Sequence, residues 1–308
     1  MLNAGKNILS GDAMFPGHAW RSGEGNQIMN GNIASVGDGV ISAGISGNCF
    51  SRAIKSSAHK SVHFFGGLAV LFALWWLGIY IVTLNPSMSQ FANFGPIAAF
   101  QALPHEWKTG RISGALASSG YRLGAGLALA IAIGIPLGIL MGRIRWFQKL
   151  TNVPFQILRM ISPLSWEPIA VVVFAGWEQA IIFLIAIASV WPIAFATAAG
   201  LAKVDPNWFK VARNLGATPW QIVTKIIMPA ITFDILTGIR LALGVAWIVI
   251  IPAEFLGVTS GFGYAIEDAR EGLEYAHLMG LVLVIGVVGF VLDSLCVMLI
   301  RRFSWHRG

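Results

Sequence analysis

Six runs of apolar residues set the rhythm of this chain, at 62–83, 115–142, 153–175, 179–201, 231–256 and 277–300. Each is near the roughly 20 residues a helix needs to cross a bilayer. None shows the strict alternation of a membrane β-barrel strand. Backbone polar groups in hydrocarbon must be satisfied within their own segment. The pattern therefore predicts an all-α polytopic membrane protein with about six transmembrane helices. Positions 1–58 differ: they are rich in Gly, Ser and Asn, show little periodicity, and read as a disordered cytoplasmic tail ahead of a transmembrane domain at 59–308. The first apolar run lacks a cleavage pattern and reads as an uncleaved anchor, with Met29 as an alternative start.

Composition turns this pattern into an exclusion. Of 308 residues, 56% are hydrophobic and only 11% charged, against roughly 25% charged in a typical soluble protein. The net charge of +7 raises the question of nucleic acid, and its placement answers it. Arg52, Lys55 and Lys60 precede the first run. Arg143, Arg145 and Lys149 separate the second from the third. Lys203, Lys210, Arg213 and Lys225 separate the fourth from the fifth, and Arg301, Arg302 and Arg307 follow the sixth. The alternate connections hold only Lys108, Arg111 and Arg270. Basic residues accumulate on the cytoplasmic side, so both termini are expected there. The partner implied is the lipid bilayer, and no nucleic acid. Cys49 and Cys296 are too far apart in the sequence to suggest a disulfide scaffold. The six histidines (His18, His59, His63, His105, His277, His306) have no metal-ligand spacing, and no GxSxG elbow occurs. Neither a metal site nor a catalytic residue is expected, and the chain reads as a non-enzyme.

Two features inside the runs carry information. Gly126, Ala130, Gly134, Gly138 and Gly142 recur every fourth position, giving one helical face with almost no side chain, against which another backbone can pack. Pro136 interrupts the same run and predicts a kink. Seven ionisable residues, Arg122, Arg159, Glu167, Asp234, Arg240, Glu254 and Asp293, fall within or at the ends of runs. They are costly in hydrocarbon and should face the bundle interior, a cavity or an interface, whether as structural pairs or as functional groups. The third run is the least apolar. Its Ile157–Pro168 segment holds Arg159, Ser162, Ser165 and Glu167 beside two prolines, which suits a helix lining a pathway better than one facing lipid. Trp247 and Glu254 are the pathway candidates of the fifth run.

The connection at 203–229 is the most structured. Asp205 is placed as an N-cap with Pro206 at the first helical position. Trp208, Val211, Ala212 and Leu215 follow at helical spacing, and Gly216 stops the helix. Thr218, Pro219 and Gln221 form a capping box that starts a second short helix, which should end at Pro229. The apolar face of the first helix has three options: packing on the bundle, lying in the lipid interface, or docking into a groove of another protein.

This segment resembles the EAA loop of bacterial ABC importer permeases. Lys210-Val211-Ala212, three residues, Gly216, nine residues, then Ile226-Ile227-Met228-Pro229 reproduces the spacing Glu-Ala-Ala, Gly, Ile-x-Leu-Pro, with Lys210 in place of the Glu. ISPLSWEPIA in the third run and LTGIRLALGVAWIVIIPAEFLGVTSGFGYAI from Leu236 to Ile266 resemble the nitrate/sulfonate/taurine/bicarbonate branch of these permeases. The resemblance covers about 62–303. It implies a type I importer permease of a bacterial inner membrane, whose loop forms a coupling helix seated on a cytoplasmic ATPase. Trp208, Lys210, Val211, Ala212, Arg213, Leu215, Gly216, Ile226 and Pro229 would carry that contact. The sequence has no GxxxxGK[ST], so ATP and Mg would reside on the partner ATPase. A second permease copy, as a homodimer, and an extracytoplasmic substrate-binding protein are also implied. Glu267, Asp268, Glu271 and Glu274, in the acidic connection after the fifth run, are the candidate contacts for the binding protein.

The function expected is import of a small anionic solute driven by ATP. Two rivals remain: an ion-gradient-driven secondary transporter, in which Glu167, Glu254 and Asp293 would carry protons, and an integral-membrane enzyme, which would need interfacial acidic or His clusters.

Overall fold

The computed structural model describes residues 47–255 and 257–304. Met29 and most of the expected tail lie outside the described residues. The described residues from 60 onward belong to one compact unit. Every regular element among the described residues is helical: α1 (Gly47–Thr83), a 3₁₀ stretch (Pro86–Phe94), α2 (Pro96–Lys108), α3 (Arg111–Arg143), α4 (Arg145–Met160), a 3₁₀ turn (Pro163–Trp166), α5 (Glu167–Val173), α6 (Trp177–Ala202), α7 (Pro206–Asn214), α8 (Pro219–Gln221), a π-helical stretch (Ile222–Ile227), α9 (Met228–Ala253), α10 (Phe262–Glu271) and α11 (Tyr275–Ser304).

Five helical segments are long and apolar enough to cross a membrane: Phe65–Thr83, Arg111–Arg143, Trp177–Ala202, Pro219–Ala253 and Tyr275–Arg302. The third apolar run departs from expectation. Instead of one helix over 153–175, α4 stops at Met160, Ile161 and Ser162 are extended at ψ 128° and 130°, and α5 follows the 3₁₀ turn. Pro163 is the cause. It has no N–H to continue the ladder, and its ring drives Ser162 out of the α region.

Packing shows what this broken segment does. A Cβ added to Gly126, Gly134, Gly138 or Gly142 would meet Ile185, Ile193, Thr197 or Leu201, respectively, at 3.0 Å or less. The register between α3 and α6 is constant and the numbers rise together, so the two helices run parallel. The chain leaves α3 at one end of the bundle and starts α6 at the other, so residues 144–176 must return over its full height. The third run therefore passes along the bundle once more, although no single apolar helix makes that pass. α9 runs antiparallel to α6: Gly200 lies against Asp234, and Gly238 against Ala196. α11 runs antiparallel to α9, with Asp293 on Arg240 and Gly289 against Trp247. α3 continues through Pro136 without interruption.

Polar detail fixes the ends. Outside the expected runs, α2 packs on α11, with Gly280 against the Ala99 carbonyl. The Trp75 Nε1–H donates to the Phe94 carbonyl at 3.0 Å, and Phe94 stacks on Tyr275 at 4.5 Å. At the opposite end, the second short helix expected to stop at Pro229 instead runs on, so that Pro219–Ala253 forms one rod. The π register accommodates Pro229: the Met228 N–H reaches back to the Val223 carbonyl, widening the turn where the proline ring would crowd it.

The glycine face yields a sharp expectation. A Cβ on Gly138 would sit 2.5 Å from both the Ala194 carbonyl oxygen and Thr197 Cβ, whereas one on Gly124 would meet nothing within 4 Å. Gly138→Ala should destabilise the α3–α6 pair by about 1–3 kcal/mol, read as a lower thermal midpoint in detergent. Gly124→Ala should leave the midpoint unchanged or raise it.

Candidate functional site

The end of the bundle formed by 203–229 is built from short-range signals. The Asp205 carboxylate accepts the Asn207 N–H at 2.9 Å and caps α7. Gly216 stands at φ +75°, and the Ala217 N–H reaches the Ala212 carbonyl while the Gly216 N–H reaches that of Arg213, both at 3.0 Å. This is the paired C-terminal stop that a left-handed residue permits. The Thr218 hydroxyl and the Gln221 amide complete the capping box.

The apolar face of α7 divides in a way its spacing does not foretell. Ala212 turns inward with Phe209 onto a cluster of Leu201, Ile222, Ile227, Ile231 and Ile235. The Arg143 guanidinium covers the Phe209 ring at 4.4 Å. Trp208 (55% exposed), Val211 (57%) and Leu215 (82%) face outward, beside Trp220 at 74%. The expectation that Trp208, Val211, Ala212 and Leu215 share one face is corrected for Ala212 alone, which joins Phe209 on the bundle side: both sides of a short helix are apolar here, and periodicity alone cannot say which one the bundle takes. Lys210, Arg213 and Gly216 are exposed, Pro229 is exposed, and Ile226 is half-buried.

At the other end sits a buried charge network. The Arg122 side chain, 2% exposed, donates to Glu254 at 2.7 Å, to Glu178 at 2.9 Å, and to the Ser260 carbonyl and hydroxyl at 2.7 and 2.9 Å. The Ser119 hydroxyl donates to the Glu254 carboxylate at 2.8 Å and accepts the Phe262 N–H at 3.0 Å. The Gly263 N–H also binds Glu254, at 3.0 Å. One cluster thus ties α3, α6 and α9 to the first turn of α10. Gly261, at φ +112°, brings its backbone so close to the Glu254 carboxylate that no side chain fits. Glu254, a pathway candidate by sequence, is fully buried in this network. Trp247 is half-buried, edge-on to Phe262 at 6.2 Å.

The remaining charges are mostly paired. Arg240 and Asp293 form a two-bond pair at 2.7 and 2.8 Å, and Lys203 meets Asp234 at 2.6 Å. Glu254 and Asp293, the proton carriers of the secondary-transporter reading, are each held by an arginine. Arg159 lies over the Phe195 ring at 5.1 Å. Ser162 and Ser165 are exposed beside the break in the third run, and Glu167 is half-buried. In the acidic connection, Arg111 pairs with Asp268 and Glu274, and Arg270 pairs with Glu267, leaving Glu271 as an exposed carboxylate outside those pairs. Sequence reading missed Glu106, which is buried and held by His277 at 2.6 Å and Arg111 at 3.6 Å, and also Ser119 and Glu178. No group of three or more potential metal ligands occurs among the described residues. Replacing Arg122 by Leu leaves two carboxylates without their partner and should cost about 3–5 kcal/mol. Glu178→Gln, at a half-exposed position, should cost far less, and thermal denaturation in detergent separates the two.

The profile of the family described as binding-protein-dependent transport system inner membrane component matches residues 134–305. The bicarbonate transport system permease protein CmpB of Synechococcus elongatus is 39% identical over 174 residues, 56% of this chain. That match spans only 62% of the relative's own length. The taurine transport system permease protein TauC of Escherichia coli is 30% identical over 247 residues, covering 78% of this chain and 88% of TauC. A chain of the inward-facing methionine ABC transporter MetNI superposes with a TM-score of 0.56, covering 65% of this chain and 98% of that one. Its 16% identity speaks for a shared fold alone. The profile takes in the return segment from its first turn, the capped loop and the two crossings after it, and on that match the chain belongs to the binding-protein-dependent transport system inner membrane component family.

Proposed function

We propose that this chain is the membrane-spanning permease subunit of an ATP-driven, binding-protein-dependent importer for a small anion of the bicarbonate, nitrate, sulfonate or taurine class. The observation that carries the reading is the outward stripe of Trp208, Val211 and Leu215 on a doubly capped helix, flanked by Trp220. Large apolar side chains on a rigid, cation-rich loop are a docking surface. The partner that suits it is a cytoplasmic ATPase, which would hold ATP and Mg.

Sidedness follows from charge. Arg143, Arg145, Lys203, Lys210, Arg213 and Lys225 gather at the loop end of the bundle, which the positive-inside rule assigns to the cytoplasm, together with both termini. The opposite end, with α10 and the exposed Glu271, would meet the substrate-binding protein. A second copy of the chain would complete the pathway, and ATPase closure would draw the two loops together to switch access from one side to the other. The names of the relatives, bicarbonate and taurine permeases, support the substrate class.

The test is co-purification of the cognate ATPase with variants of the loop. Trp208→Asp and Leu215→Asp should weaken association by about 30-fold each, the scale of a 2 kcal/mol hot spot, while the permease stays monodisperse. Phe209→Asp should destabilise the permease itself. Unchanged ATPase association with Trp208→Asp and Leu215→Asp would count against the coupling role.

A further inference from the structure

α4 has three faces, and only two are accounted for by packing or lipid. Phe147, Thr151, Phe155 and Leu158 are half-buried, with Phe155 on the Trp191 ring at 5.3 Å. Trp146, Leu150, Val153, Ile157 and Met160 form an exposed apolar stripe, suited to lipid or to another helix. Arg145, Lys149, Asn152, Gln156 and Arg159 form a third, polar stripe, and all five are exposed. At 3.6 residues per turn these three faces point roughly 100–135° apart.

The polar stripe lies in the segment that must return across the bundle between the parallel helices α3 and α6. Counted from Arg145 at 1.5 Å per residue, Asn152 stands about 10 Å along, Gln156 about 16 Å and Arg159 about 21 Å, in a hydrocarbon layer of about 30 Å. Arg145 and Lys149 can snorkel to the interface, but Asn152 and Gln156 are too short to do so. Exposed amides at that depth do not suit lipid, and beside three cations the polar surroundings that fit them best are a water-filled route. The sign of the charge is uniform: α4 carries Arg145, Lys149 and Arg159 and no carboxylate. The Gln156 Nε2–H donates to Asn152 Oδ1 at 3.0 Å, which leaves the Asn152 amide N–H groups and the second Gln156 N–H as neutral donors. Cations with neutral donors between them match what a partly desolvated anion needs.

We infer that the Arg145–Lys149–Asn152–Gln156–Arg159 stripe of α4 lines an aqueous route and selects small anions, with Asn152 and Gln156 contacting the ion and Lys149 and Arg159 setting the sign of the field. The inference deepens the proposed import function and rests on it for the identity of the traffic, though not for the presence of water.

The experiment uses the full chain in membrane vesicles, with Cys49→Ser and Cys296→Ser as background. Single cysteines are introduced as Asn152→Cys, Gln156→Cys, Val153→Cys and Ile157→Cys. Each is reacted with an anionic sulfonatoethyl and a cationic trimethylammonioethyl methanethiosulfonate, and rates are normalised to a free thiol in solution. Asn152→Cys and Gln156→Cys should react with both reagents, the anionic one about tenfold faster, within the range over which a one-signed cleft concentrates its counter-ion. Val153→Cys and Ile157→Cys should stay unreactive. Adding Lys149→Gln and Arg159→Gln should bring the anionic preference to about one. Three results would overturn the inference: silence at 152 and 156, equal reactivity at 153 and 157, or a preference unchanged by neutralisation. Because the readout needs neither ATPase nor solute, it can fail while ATPase co-purification succeeds, and the reverse.

Discussion

Close contact between the glycine face of α3 and the side chains of Ile185, Ile193, Thr197 and Leu201 on α6 sets the geometry on which everything else depends. Lipid tails offer no hydrophobic incentive for two apolar helices to associate, so contact area gained by removing side chains is what holds them. The constant register makes the pair parallel, and the chain between the end of α3 and the start of α6 must therefore return along the bundle. That demand explains why a stretch with Pro163, Pro168, Arg159 and Glu167 crosses with the bundle at all. A stretch so polar and so broken would not insert on its own; it is carried by the helices on either side.

The charges follow from the same constraint. The bundle has one end stapled by Arg122, Glu254, Glu178 and Ser119, and an opposite end where loop 203–229 is seated by Phe209 and Ala212. The buried network connects three crossings to the first turn of α10, so that end is tied together by one set of contacts. The capped loop is continuous with α9 through the π-helical stretch. A push on the exposed tryptophans would therefore reach the Arg240–Asp293 pair and α11 through one rod rather than through a flexible joint. One end is thus held by buried charges, and the other is carried by a continuous rod.

Much of this was legible in the sequence where the signal was local. Asp205, Gly216 and the Thr218–Gln221 box each act within a few residues, and all form as expected. The glycine face was visible as a four-residue repeat, but its partner was not, because repeats say nothing of what they face. The intramembrane charges were equally visible, while their pairing was hidden by separation: Glu254 is 132 positions beyond Arg122. One reading failed and another stayed open, each for a physical reason. The third run looked like one helix by hydropathy, but backbone stereochemistry at Pro163 outweighs average apolarity. Which face of α7 meets the bundle stayed open among three options because Phe209 and Trp208 are apolar neighbours on opposite sides, and only the cluster beneath decides between them.

The return crossing is the central claim, and sidedness tests it most directly. Ile144→Cys and Gly176→Cys bracket the segment, and both positions are exposed. A membrane-impermeant thiol reagent should label Ile144→Cys only in inside-out vesicles and Gly176→Cys only in right-side-out vesicles. Labelling of both cysteines from the same face of the membrane would contradict the account, because residues 144–176 would then not cross.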